Sequence, residues 1–182
     1  LALLLLLQLN WLTAYYAVAA VIITMIYPFC KRFIAFPQAI LGIAFACSIP
    51  MAFAAQLNYV SAQVWWWFAA AAVWPVIYDT MYAMADKEDD LKIGIKSMAI
   101  ILGGWDRFVL AVLQGTFILL LILAGLFSSL KGYYFAALPF VALLCLYHQY
   151  LIYDRKPKRC FQAFLNNQWI GLVIFAAILL DI

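Results

Sequence analysis

The chain has 182 residues, of which 70% are hydrophobic and only 10% charged. Soluble domains run at about 45–50% apolar and about 25% charged, so a water-soluble fold that hides this much apolar surface is excluded. The formal charge of +3, without a basic stripe, also excludes nucleic acid as a partner.

Residues Leu1 to Leu9 are nearly all apolar, with no initiating Met, charged start or small-residue cleavage site. They read as part of a helix and not as a secretory signal. The expectation is a chain that begins inside a helix, with further sequence upstream. A membrane span needs about 20 apolar residues. Such lengths follow at Trp11 to Phe29, Phe36 to Ala55, Val64 to Ala85, Phe108 to Phe127, Tyr133 to Ile152 and Phe164 to Leu180. Lipid offers the backbone no hydrogen bonds, so spans are helices or closed barrels. Continuous apolar runs exclude the alternation of a barrel. The expected fold is an all-α, polytopic transmembrane helical bundle of six spans plus a partial first helix. Pro37 and Pro50 predict a kink in the second span.

The basic residues set the expected topology. Lys31, Arg32, Lys87, Lys92, Lys96, Arg107, Arg155, Lys156, Lys158 and Arg159 follow the odd-numbered spans, and Lys131 alone falls in an alternate loop, so ten of the eleven lie on one side. The positive-inside rule makes that side cytoplasmic. Trp65, Trp66, Trp67, Tyr133 and Tyr134 read as an aromatic belt on the other side, where the C-terminus near Asp181 also falls.

The segment from Tyr78 to Asp90 holds five of the eight acids. A helix continued through it places Tyr78, Tyr82, Asp86 and Asp90 on one face, since residues four apart are neighbours. Asp79 lies inside the span, where a lone carboxylate is expensive. Asp86 and Asp90, one turn apart, are candidate ligands for Mg²⁺, which commonly takes one or two carboxylates plus substrate phosphate oxygens. Lys31, Arg32, Lys92 and Lys96 lie on the same side as candidate oxyanion contacts, and together these groups suit a diphosphate. An ordinary solvated loop would use the same residue types, although it gives no reason for Asp79 or the tyrosines. Glycine patterns for nucleotides are absent. Cys30, Cys47, Cys145 and Cys160 are not spaced as zinc ligands and read as small core residues without disulfides. His148 reads as a core or interface residue.

Three stretches carry a resemblance. Trp74 to Gly103, WPVIYDTMYAMADKEDDLKIGIKSMAIILG, closely resembles the second aspartate-rich motif of UbiA-type intramembrane prenyltransferases. It looks most like the branch that prenylates 4-hydroxybenzoate in bacterial ubiquinone synthesis. Tyr27 to Arg32 (YPFCKR) and Cys160 to Asn167 (CFQAFLNN) agree with it, and the resemblance covers essentially the whole chain in register. It implies nine spans and two aspartate motifs on cytoplasmic loops of the bacterial inner membrane. Residues 1–182 would then be the C-terminal two-thirds of one such domain, with the first motif upstream of Leu1.

The resemblance also implies a reaction: transfer of a polyprenyl group from polyprenyl diphosphate to the carbon ortho to the phenol of 4-hydroxybenzoate, with Mg²⁺ as cofactor. Asp86 and Asp90 become the metal-linked carboxylates, and Arg32 matches the family's catalytic basic position in its short loop, which holds diphosphate or the benzoate carboxylate. Lys31, Lys92 and Lys96 become diphosphate contacts, and Tyr78 and Tyr82 line the site of the allylic cation. Asp79 and Asp89 fit a capping or network role equally well. Two alternatives stay open at this stage: another aromatic acceptor on the same fold, and an ion or anion transporter built on Asp79 and the lysine-lined mouth. A CDP-alcohol phosphotransferase lacks its expected Asp- and Gly-patterned helix here.

Overall fold

The computed structural model describes residues 2–34, 36–94 and 96–181; the side chains of Lys31, Arg32 and Ile93 lie outside that description. Every regular element among the described residues is helical: α1 (Ala2–Leu6), α2 (Trp11–Phe33), α3 (Pro37–Ala46), α4 (Ser48–Leu57), α5 (Val64–Ala85), α6 (Lys87–Ile93), α7 (Met98–Leu102), a 3₁₀ turn (Gly103–Trp105), α8 (Asp106–Phe127), α9 (Gly132–Leu151) and α10 (Pro157–Asp181).

The helix boundaries have local causes. The Asn10 side chain accepts the Thr13 N–H at 2.9 Å and starts α2, which satisfies one of the donors a helix leaves orphaned at its N-terminus. Asn58, in the left-handed region at φ 55°, ends α4. The expected second span is two helices, α3 and α4, that meet at Cys47, three residues before Pro50. Proline has no N–H to continue the ladder, so the break falls in the preceding turn. The Asp181 carboxylate accepts N–H groups from Lys131 and Tyr133 and caps α9.

Five stretches are long and apolar enough to cross a membrane: Trp11–Cys30, Pro37–Leu57, Met98–Phe127, Gly132–Leu151 and Pro157–Asp181. The chain is a multi-pass membrane protein. The sixth expected span, α5, has the length at 22 residues and carries Trp, Tyr, Pro and Asp79 among its apolar residues. Its position explains this. α5 is the central helix, packed against α3, α4, α7, α8 and α10, while α9 joins α8 and α10. A helix screened from lipid by neighbours is free to carry polar and amphipathic side chains.

Close approaches fix the packing. A Cβ at Gly42 would come within 2.1 Å of the Ala72 carbonyl oxygen, so only glycine lets α3 lie this close to α5. Gly125 makes room for Tyr134 in the same way, and Tyr134 is fully buried with its hydroxyl donating to Leu121 O at 2.9 Å. Tyr134 is therefore a core residue and no part of an outer belt. Trp67, whose Nε1 donates to Ser128 Oγ at 2.8 Å, packs edge-on against it. Tyr133 and Trp65 are exposed, as belt residues are. All four cysteines are buried and free. His148 is buried and pairs through Nε2 with Asn166 at 3.0 Å, as a core histidine.

Candidate active site

The acidic segment lies where α5 gives way to α6. α5 ends at Ala85, and Asp86, at φ −91° and ψ 3°, serves as both its C-cap and the N-cap of α6. The expected unbroken helix is thus bent at Asp86. Hydrogen bonding nevertheless passes through the bend, because Asp86 N–H donates to Tyr82 O at 3.1 Å and Asp90 N–H to Asp86 O at 2.9 Å. The bend keeps Asp86 and Asp90 one turn apart and half-buried, whereas Glu88 and Asp89 are exposed. The carboxylates at the start of α6 also suit the positive end of a helix.

Three tyrosines approach the carboxylates. The Tyr82 phenol pairs with the Asp86 carboxylate and lies within electrostatic range of Asp79 and Asp90. Tyr78 and Tyr27 are within the same range of Asp79. Tyr27 comes from α2, so α2 and α5 build this end of the site together. It was quoted in the sequence only as part of a motif; no spacing rule joins it to a residue fifty positions on.

Above the carboxylates α5 and α10 form an aromatic wall. Tyr82 lies 5.1 Å from Phe164 and 6.2 Å from Phe161, and Tyr78 lies 6.0 Å from Phe164 (ring centroids). Trp74 continues it, edge-on to Tyr78 at 5.9 Å and stacked on Phe117 of α8 at 6.2 Å. Trp74, Tyr78, Phe164, Leu165, Asn167 and Gln168 line a cavity of about 310 Å³. Gly171 leaves space for Trp74, since a Cβ there would meet the indole at 2.6 Å. Phe161 and Phe164 belong to the quoted stretch before the last span, but their periodicity alone reads as core.

The basic candidates are placed less uniformly. Lys31 and Arg32 fall in the last turn of α2, and their side chains lie outside the described residues. Lys92 bonds Asp89 at 2.7 Å in an exposed pair, which raises the Lys92 ammonium above its usual range. Lys96 is exposed between α6 and α7.

One ion pair was not anticipated. Asp106, fully buried at the start of α8, receives Arg155 Nε at 3.0 Å and Arg155 Nη2 at 2.7 Å, and Nη2 also reaches Gly104 O at 2.9 Å. The hydrogen bond to Asp106 holds the Arg155 guanidinium above its ordinary pKa. Arg155 adopts φ 53° to make the pair, a strained conformation for a residue with a side chain. By charge counting Arg155 had read only as a loop cation, and Asp106 had not been singled out.

Among the described residues no three His, Cys, Asp or Glu side chains are grouped to hold a metal. The carboxylate pair must therefore share any metal with ligands from elsewhere.

The UbiA prenyltransferase family model matches residues 1–178. The chain belongs to the UbiA prenyltransferase family. It is 49% identical over its full length to the 4-hydroxybenzoate octaprenyltransferase of Vesicomyosocius okutanii, covering 67% of that protein. It is 48% and 47% identical to proteins of the same name from Coxiella burnetii and Alkalilimnicola ehrlichii, covering 61% of each. The chain thus spans roughly three-fifths to two-thirds of the length of these curated relatives. The apo structure of a UbiA homolog from Aeropyrum pernix K1 superposes with a TM-score of 0.81 at 23% identity, over 96% of this chain and 66% of that one. That likeness establishes the UbiA fold. Family membership favours group transfer over the transporter alternative.

Proposed function

We propose that this chain is the larger, C-terminal part of a UbiA domain that transfers a polyprenyl group from polyprenyl diphosphate to 4-hydroxybenzoate. The relatives' names and identities of 47–49% support the reaction class and the acceptor. The observation that carries the reading is the stacking of two chemistries at one end of α5: the half-buried pair Asp86 and Asp90, and above it the wall of Tyr82, Phe161, Phe164 and Tyr78. A prenyl diphosphate has two matching halves, an anionic head and an apolar tail.

Asp86 and Asp90 fit Mg²⁺. They offer hard carboxylate oxygens, and this ion needs few protein ligands when substrate phosphates and waters complete its shell. When bound, Mg²⁺ supplies charge neutralisation on the departing diphosphate. Tyr82, paired with Asp86, orients that carboxylate. Arg32 and Lys31, at the inner end of α2, with Lys92 and Lys96 beyond α6, are the cations for diphosphate oxygens; Arg32 also suits the benzoate carboxylate. The allylic C–O bond breaks, its electron pair leaves with diphosphate, and the ring carbon ortho to the phenol bonds the prenyl carbon and gives up its proton. Ring faces stabilise an allylic cation, and an apolar wall keeps away the water that would capture it.

The basic loops make the mouth cytoplasmic in a bacterial inner membrane. Coverage of 61–67% of these relatives supports the chain's being one part of a larger domain. So does α2, whose most apolar stretch is only 6% buried here against 33% for α9, leaving a face for further helices.

The test uses membranes carrying the protein from its complete reading frame, with labelled polyprenyl diphosphate and 4-hydroxybenzoate, dihydroxynaphthoate, haem or chlorophyllide as acceptor. The expected result is prenylated hydroxybenzoate with equimolar diphosphate. Prenylation of another acceptor alone would change the acceptor; ion flux without diphosphate release would overturn the reading.

A further inference from the structure

A second polar site lies at the basic end of the bundle, between α8 and α9, and neither Asp86 nor Asp90 lines it. It is an open groove of about 510 Å³ lined by Trp105, Arg107, Phe108, Ala111, Gln149 and Arg155. The two arginines differ in state. Arg155 is committed to Asp106. Arg107 lies over the Tyr153 ring at 4.5 Å, and its Nε is buried with no hydrogen-bond partner. A guanidinium carries five donors in a fixed fork, and leaving a buried one unmade is costly. Arg107 lines the groove half-buried and makes no ion pair among the described residues, so the groove presents a guanidinium not committed to a carboxylate.

Its other walls are apolar and face outward. Trp105 is 70% and Phe108 62% exposed, and Val112, one turn further along α8, is also exposed. The loop that supplies Arg155 also carries Lys156, Lys158 and Arg159 against Asp154, with Lys156 and Arg159 paired to that carboxylate, so the loop beside the groove is net positive. Positive charge at the level of the loops, a Trp beside it and an apolar ramp running into the membrane fit a molecule with one anionic head and hydrocarbon below. Basic pockets between helices at a charged leaflet surface bind such head groups.

The geometry points to an anionic glycerophospholipid of the surrounding bilayer as the occupant, its phosphodiester on Arg107 and its chains along Phe108 and Val112. A membrane lipid is favoured over the prenyl diphosphate because no carboxylate pair for a metal lines the groove. The Asp106–Arg155 pair also forms part of a smaller cavity with Lys87 and Glu88, so a lipid held here braces the segment that carries the acidic cluster.

The test is native mass spectrometry and thermal unfolding of the purified full-length protein with phosphatidylglycerol or phosphatidylcholine. Phosphatidylglycerol should be retained and raise the Tm, and phosphatidylcholine should do neither. Arg107→Gln should weaken phosphatidylglycerol binding about five- to tenfold, and Ala111→Phe, which fills the groove while keeping every charge, should do the same. Lys131→Gln, at the opposite end, should leave it unchanged. Should Arg107→Gln not fold, Ala111→Phe decides. Equal retention of both lipids, wild-type binding by Ala111→Phe, or displacement of the lipid by polyprenyl diphosphate would each overturn the assignment.

Discussion

Arg155 reaches back 49 residues to Asp106 and grips its carboxylate through Nε and Nη2. This pair ties the loop before α10 to the start of α8. Losing one partner of a buried pair leaves the other charge uncompensated, at a cost of about 3–5 kcal/mol. Arg155 keeps 41% of its side chain exposed, so the lower end of that range applies. Asp106→Asn and Arg155→Leu should each lower the Tm of the detergent-solubilised protein and raise proteolysis after Tyr153. Arg155→Lys should rescue little, because an ammonium lacks the planar fork. A Tm unchanged in Asp106→Asn would reduce the pair to surface decoration.

Gly171 sets the position of Trp74, which closes the aromatic cavity. Gly171→Leu forces the indole aside, and overpacking of this kind costs about 1–3 kcal/mol. The proposed prenyl site predicts a raised KM for polyprenyl diphosphate with an unchanged Mg²⁺ requirement. A changed Mg²⁺ requirement with normal KM would place Trp74 elsewhere in the reaction.

The topology has its own test. With the four native cysteines replaced, Lys158→Cys, at an exposed site in the basic loop, should react with an impermeant thiol reagent only from the cytoplasmic side. Tyr133→Cys should react only from the opposite side. The reverse pattern would invert the topology and the side of the active-site mouth.

The spans and the acidic cluster were legible in the sequence because lipid imposes a length and a composition on each helix. The family resemblance was legible because the segment from Trp74 to Gly103 is long and unbroken. Contacts between distant segments were not. Tyr27 of α2 comes within electrostatic range of Asp79 on α5, and Arg155 grips Asp106, with nothing in local spacing to announce either. Tyr134 lies beside Tyr133 in an apparent belt, yet Gly125 on another helix decides that it is buried. The bend at Asp86 escaped periodicity because hydrogen bonding continues through it. α5 carries Asp79 and its tyrosines inside the bundle because other helices surround it, which composition alone cannot express.

The neighbours of the carboxylate pair make a graded series. Glu88 is exposed and outside the pair, so Glu88→Ala should leave transfer near normal. Tyr82→Phe keeps the ring beside Phe161 and Phe164 but removes the phenol from Asp86. It should cost several-fold in rate and raise the Mg²⁺ demand. Arg32→Ala should cost on the order of 10²–10³ in rate if its cation meets the developing charge. A Glu88→Ala loss equal to that of Arg32→Ala would shift the site outward along α6.

The central claim is that Asp86 and Asp90 hold the metal that stabilises the leaving diphosphate. The direct measurement is prenyl transfer by the full-length protein with Asp86→Ala, Mg²⁺ being titrated and folding checked by Tm. The expected result is a folded protein whose turnover falls by on the order of 10²–10³ and whose residual activity demands far more Mg²⁺. Near-normal turnover at the ordinary Mg²⁺ concentration would contradict it and leave the acidic cluster a solvated loop.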